Sequence, residues 1–230
     1  MRLDQFIATT TPLSRKEAKR AIGQGRVIVD GRACRQVATH ISTDARVTLD
    51  DHRLTLPGER YLMLNKPQGV VSATTDSDHP TALDLLPSEF RPDLHIAGRL
   101  DADTTGLLLL TSDGQWSHRV TSPRVKCPKT YRVTLCDPIT EVALQQLRDG
   151  IELRNDPKPT KPADVLWLSE QEIELTIAEG RYHQVKRMLA ATGNRVSALH
   201  RLRIGTIELD SRLAPGEFRE LTEAEINAIP

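Results

Sequence analysis

Asp101 and Asp103 lie in a polar loop, Gly98-Arg99-Leu100-Asp101-Ala102-Asp103-Thr104-Thr105-Gly106, that runs straight into four leucines, Leu107 to Leu110, and stops at Asp113-Gly114. A carboxylate at the mouth of such a run could attack an electrophilic carbon or take a proton, provided its position is fixed. The apolar run can supply the fixing. Bounded by glycines, it reads as a strand buried on both faces, with Asp113-Gly114 as the turn that ends it. The same loop could equally be a solvated turn in which Thr104 and Thr105 bond the backbone. The rest of the chain decides between the two.

Charge is the first such feature. The chain carries 31 Lys plus Arg against 31 Asp plus Glu, so its net charge is zero. The cancellation hides a segregation: Met1 to Arg35 has eight basic and three acidic residues, Gln115 to Leu135 has five and none, and Arg181 to Arg203 has six and none. Together these stretches carry +16 and the remainder −16. That distribution is expected of a nucleic-acid binder whose other surfaces stay acidic for solubility, if the basic stretches converge.

A chain of 230 residues can form one large domain or two and bury a substantial core. No apolar run is long enough to span a membrane, and Asp4 with no long apolar segment argues against a signal peptide, so a soluble, cytoplasmic protein with no membrane partner is expected. Cys34, Cys127 and Cys136 are odd in number and unpaired in spacing, and the seven histidines follow no ligand pattern. Neither a disulfide framework nor a metal site is expected.

The elements that would position the chemistry begin with Ser14-Arg15-Lys16-Glu17, a capping box opening a helix that runs to about Gly23. Arg15/Lys19 and Lys16/Arg20 repel at i, i+4 spacing, and Arg15 and Lys16 oppose the helix dipole, a cost that suggests an anionic partner. Arg26-Val27-Ile28-Val29-Asp30-Gly31-Arg32-Ala33 follows as a hairpin turning at Asp-Gly. Arg2-Leu3-Asp4-Gln5-Phe6-Ile7, Ser14 to Ala18 and Gly25 to Gly31 together resemble the RNA-binding module named after small-subunit ribosomal protein S-four. That resemblance implies RNA contacts from Arg15, Lys16, Lys19, Arg20 and Arg26, and leaves the reaction open. Asp51 to Glu59, polar and broken by Pro57-Gly58, reads as a linker, giving domains 1–58 and 59–230.

Beyond it the pattern alternates. Strands are expected at Tyr61 to Leu64, Leu107 to Thr111, Thr130 to Leu135, Val165 to Leu168 and Glu172 to Ala178. Helices are expected from Thr140 to about Arg148, from Tyr182 to about Thr192 and, with a Thr222/Glu225 capping box, at the end of the chain; a strand and hairpin reach Leu209. Mixed elements without repeated crossovers predict an α+β fold with a mainly antiparallel sheet.

Four stretches in this domain are similar to the pseudouridine synthases of the RsuA type, which isomerise one uridine in ribosomal RNA. They are Leu64-Asn65-Lys66-Pro67-Gln68-Gly69, Gly98 to Asp101 with Asp103 to Leu107, Lys129-Thr130-Tyr131, and Glu179-Gly180-Arg181-Tyr182-His183-Gln184-Val185-Lys186-Arg187-Met188. Their order and spacing fit as well. The resemblance implies that Asp101 initiates the reaction, by attack on the anomeric carbon or by deprotonating the sugar. It implies that Lys186, or else Arg187, supplies the cation that keeps the aspartate ionised, and that Tyr131 packs on the target base and relays a late proton. Leu199 would form an apolar wall beneath Asp101 and Tyr131, and Arg99 would fill the space the flipped base vacates. Arg181, His183, Arg187, Arg201, Arg203, Lys126 and Lys129 would touch phosphates, which position RNA without reading it. Lys66 sits in a family motif, yet Asn-Lys-Pro-Gln-Gly also suits a turn.

The reaction so implied breaks a glycosidic bond, rotates the base and rejoins it through carbon five, with no net redox change, so no cofactor is expected. The expected substrate is small-subunit (16S) ribosomal RNA, as an assembly intermediate with ribosomal proteins, acted on by a monomer. Large-subunit RNA as the substrate, or an idle RNA-binding assembly factor, are the alternatives. A hydrolase is disfavoured, because neither a Gly-x-Ser-x-Gly elbow nor paired carboxylates with a metal pattern occurs.

Overall fold

Two short helices, α1 (Leu3–Thr10) and α2 (Arg15–Gly23), open the chain. The second forms where the sequence predicts it: Ser14 Oγ accepts from the Glu17 amide, and the Glu17 carboxylate accepts from the Ser14 amide at 2.8 Å. The first is not predicted, being eight residues long, rich in threonine at its end and uncapped by any side chain. Burial holds it instead. Leu3, Phe6 and Ile7 enter the core of this unit, and the covered Asp4 carboxylate accepts from Arg2 at 3.0 Å and Arg15 at 3.2 Å. Arg2, opposed by burial and aided by Arg15, holds the Asp4 carboxyl at about 2. The electrostatic cost of Arg15 in the first turn of α2 is thus met partly inside the fold.

The computed structural model describes residues 1–42, 45–55, 58–122, 125 and 127–229, so Lys126 lies outside the described residues. The chain divides into two units, Met1–Gly58 and Glu59–Pro230. In the first, β1 (Val27–Val29), β2 (Arg32–Ala33), β3 (Val47–Leu49) and β4 (His52–Leu54) form an antiparallel sheet in the order β2-β1-β3-β4. Asp30 and Gly31 both take positive φ, 49° and 80°, as a two-residue hairpin requires. A second turn of this kind, Asp50 and Asp51 at φ 49° and 66°, corrects the linker expectation: His52 to Leu54 belong to the sheet. A pair of aspartates in the left-handed region is a weaker sequence signal than Asp-Gly.

The second unit is built on nine strands among the described residues. In chain order its elements are β5 (Tyr61–Lys66), β6 (His95–Ala97), β7 (Thr105–Thr111), α3 (Gly114–Thr121), β8 (Lys129–Leu135), α4 (Glu141–Asp149), β9 (Asp164–Ser169), β10 (Glu172–Ile177), α5 (Gln184–Ala191), β11 (Val196–Ile204), β12 (Ile207–Glu208), β13 (Phe218–Glu220) and α6 (Glu223–Asn227). The sheet runs β13-β5-β7-β11-β8-β10-β9, with β6 on β7 and β12 on β11. Every pairing is antiparallel except β7 with β11. This is the α+β, mainly antiparallel architecture the sequence predicts.

β7 is buried on both faces: Leu107 and Leu109 pack with Trp116 and Val120, Leu108 and Leu110 with Leu62 and Leu64. Its end differs from expectation. Asp113-Gly114 is a helix start, because Asp113 Oδ1 accepts from the amides of Gln115 at 2.8 Å and Trp116 at 3.0 Å. At its beginning, Gly106 (φ 100°) lets β7 press against β11; a Cβ there would lie 2.4 Å from the Arg201 carbonyl oxygen.

Candidate active site

Asp101 sits in a turn closed by the Thr104 amide donating to the Asp101 carbonyl at 3.1 Å. The chain on either side is pinned. Ser72 Oγ donates to the Leu100 carbonyl at 2.8 Å and accepts from the Leu100 amide at 3.0 Å, while the Ala102 carbonyl accepts from the Gly69 amide at 2.8 Å and from Lys66 Nζ at 3.3 Å. Lys66 is fully buried, and that burial, opposed by Asp103 and Asp101, lowers its ammonium to about 8. Its second bond, to the Pro67 carbonyl at 2.9 Å, gives it a structural place behind the loop. The threonine side chains do not bond the loop's own backbone: Thr105 Oγ1 meets His200 Nδ1 at 2.8 Å across the sheet, and Thr104 Oγ1 is buried without a partner among the described residues.

Two side chains from the Arg181 to Lys186 region converge on Asp101. Lys186 Nζ donates to Asp101 Oδ2 at 2.9 Å and to Asp103 Oδ1 at 2.6 Å, and His183 Nε2 lies 3.3 Å from Asp101 Oδ1. Burial disfavours the Lys186 charge, but the bonds to Asp103 and Asp101 outweigh it, so its pKa lies above the ordinary lysine value. The Lys186 bond likewise holds Asp103 below the usual carboxylate range. About a third of the Asp101 side chain remains open to solvent, 31%, so a substrate can reach it.

The opening belongs to a cleft of about 910 Å³ whose walls include Asp101, Arg99, Tyr131, Leu199, Lys129 and His183. Tyr131 comes from β8 and Leu199 from the adjacent β11; Leu199 is 7% exposed and Tyr131 partly so. Arg201, expected on a phosphate, is corrected by the structure. It is 1% exposed and donates to the carbonyls of Leu107 at 2.8 Å and Gly98 at 2.8 Å, with its guanidinium 6.0 Å from the Tyr131 ring centroid. Alternation along β11 aims it inward, where it binds the loop of Asp101 to the start of β7.

Other cations expected on phosphates are committed to their own chain. Arg181 donates to the carbonyls of Lys158 and Pro159, both at 2.7 Å, and Arg187 to that of Arg154 at 2.7 Å. Lys129 Nζ donates to the carbonyls of Val120 and Cys127 at 3.0 and 2.7 Å, and burial lowers its pKa. Arg203 pairs with Glu208 at 3.4 Å. Arg99, by contrast, is exposed and has no side-chain partner among the described residues. In the first unit Arg26 pairs with Asp50, whereas Lys16, Lys19 and Arg20 are exposed and unpaired among the described residues. The second and third basic stretches therefore do meet in one cleft, although much of their charge is spent on carbonyls. Sequence reasoning missed Tyr182, 75% exposed beside His183, because a tyrosine inside a motif carries no mark of its exposure. Among the described residues no group of three or more His, Cys, Asp or Glu side chains could hold a metal ion, and no helix is long and apolar enough to cross a membrane.

A cleft of this kind on this sheet has known relatives. The family described as RNA pseudouridylate synthase matches residues 60–191, more than half of the chain, and the chain belongs to that family. The S4 domain matches residues 1–47. Over all 230 residues the chain is 52% identical to ribosomal small subunit pseudouridine synthase A of Escherichia coli K12, covering 100% of both, and 51% identical to the Yersinia pestis protein of that name, covering 98% of it. A solved structure described as a pseudouridylate synthase superposes with a TM-score of 0.74 at 47% identity, each chain covered completely. The protein is thus an isomerase, a pseudouridine synthase of the RsuA type, with an RNA-binding module at its N-terminal end.

Proposed function

We propose that this enzyme isomerises a uridine of 16S ribosomal RNA, with Asp101 starting the reaction at the sugar of a nucleoside flipped into the cleft. The observation that carries the reading is the Asp101 carboxylate, rigidly seated, bonded to Lys186 and still open to solvent. The Lys186 ammonium stabilises the carboxylate charge in a partly desolvated site. In the reaction N1–C1′ breaks, the base turns, C5–C1′ forms, C5 loses its proton and N1 gains one, so composition is unchanged and no cofactor is required. Tyr131 offers a ring for the base and a hydroxyl to pass on the C5 proton; stacking worth about 1–3 kcal/mol offsets much of the cost of extruding the base. Leu199 walls the pocket, and Arg99, without a side-chain partner among the described residues, can enter the gap left in the RNA. The small-subunit substrate is supported by the names of the relatives, which match over the full chain. A partly assembled ribonucleoprotein as the substrate, a monomeric enzyme and a cytoplasmic site of action complete the reading.

The test pairs Asp101→Asn with wild type. Purified protein is incubated with small-subunit and large-subunit ribosomal RNA, each with and without ribosomal proteins, and new pseudouridines are mapped by carbodiimide primer extension. Wild type should modify one small-subunit uridine and Asp101→Asn none, at nearly equal RNA affinity. The Asp101–Lys186 pair is about one-third exposed and adds only about 0–1 kcal/mol to stability, so the variant should stay folded. Full activity in Asp101→Asn sinks the catalytic assignment, and modification confined to large-subunit RNA sinks the substrate assignment alone.

A further inference from the structure

Tyr182 is one of only eight Phe, Trp and Tyr residues in the chain and is 75% exposed at the wall of the cleft. Its ring stacks on that of His183, centroids 3.8 Å apart and planes inclined by 21°. Side chains of consecutive residues normally diverge. These two meet because His183 adopts φ 47°, ψ 37°, a left-handed conformation that costs a non-glycine residue about 1 kcal/mol. Such strain concentrates at functional sites.

The turn that carries the pair is rigid. Arg187 donates to the Tyr182 carbonyl at 3.3 Å and to that of Arg154, and lies 2.9 Å from Asp156; Arg181 is tied to the carbonyls of Lys158 and Pro159. An exposed ring of the cleft wall is therefore presented in a fixed attitude, stacked on an imidazole that itself touches Asp101. A base stacked on the exposed Tyr182 ring would reach Asp101 only past that ring and the imidazole of His183. That is too far for the reacting nucleoside and suits its neighbour along the strand.

We propose that Tyr182 is a stacking platform for an unpaired base next to the flipped uridine, so that the enzyme takes uridines from loops, bulges or opened strands rather than from continuous duplex. This rests on the uridine isomerase reading above. Aromatic stacking suits single-stranded RNA because every base offers a π-face. It also makes Tyr182 a residue of substrate affinity, not of the chemical step.

The experiment uses the full chain and RNA carrying the uridine mapped for wild type. Tyr182→Ala should raise Kd and KM by about 5- to 150-fold, the equivalent of 1–3 kcal/mol at about 1.4 kcal/mol per tenfold, while kcat changes less than about threefold. Tyr182→Phe, which keeps the ring, should restore the lost affinity. On RNA with an abasic residue placed 5′ or 3′ of the target, one of the two substrates should bind wild type and Tyr182→Ala equally. The proposal is overturned if Tyr182→Ala binds within twofold of wild type, if Phe fails as Ala does, or if neither abasic substrate removes the difference. Conversion of the same RNA by wild type and its loss in Asp101→Asn report separately on the isomerase reading.

Discussion

Asp101 has a cation or imidazole on each oxygen, Lys186 on Oδ2 and His183 on Oδ1, and the two do different things. Lys186 also holds Asp103, so removing its charge takes from both carboxylates the ammonium bonded to them. Lys186→Met is expected to lower kcat by about 10²-fold or more with RNA affinity little changed, measured by single-turnover kinetics and filter binding; an unaltered kcat would separate the ion pair from catalysis. The Asp101–Lys186 partnership was legible, because both residues sit in ordered motifs although 85 positions apart. Arg201 and His183 were not. Basic residues in a nucleic-acid enzyme invite a phosphate reading, and only strand alternation and a left-handed backbone turn one onto buried carbonyls and the other onto a carboxylate.

At the scale of elements, the catalytic loop depends on how closely β7 approaches β11, its parallel neighbour in the sheet. Gly106 permits that approach at positive φ, and its neighbour across the gap, Arg201, is the residue that clamps the loop. Gly106→Ala is expected to destabilise the catalytic unit by at least about 2 kcal/mol, since both the clash with backbone and the left-handed φ oppose it. Gly114→Ala, with nothing within 4 Å at the start of α3, serves as the control and should melt at or slightly above wild type. Comparable melting of the two variants would contradict the close-packing argument. β7 itself was plain in the sequence, as four leucines flanked by glycine can hardly be anything but a central strand. Helix α1 was hidden because tertiary burial, not propensity or capping, holds its eight residues. Asp113-Gly114 misled for a related reason: an aspartate before glycine serves a turn and a helix cap equally well.

For the molecule as a whole, neutrality in total coexists with strong local charge, and what that charge does depends on whether it is already occupied. In the catalytic unit Arg181, Arg187, Arg201, Lys129 and Lys66 donate to carbonyls of the protein itself, whereas Lys16, Lys19 and Arg20 on α2 point at nothing within the described residues. Cations that are buried, or paired with a carboxylate as Arg181 and Arg187 are with Asp156, displace few sodium or potassium ions from an RNA that settles over them. The steep, ionic-strength-sensitive part of binding should then come from the small N-terminal unit. Replacing Lys16, Lys19 and Arg20 together by alanine is expected to flatten the plot of log Kobs against log salt by about 2 to 3 units of slope, and an unchanged slope in a titration from low to physiological salt would contradict this. The cleft is left to grip its substrate by shape and stacking, a grip that persists in brine.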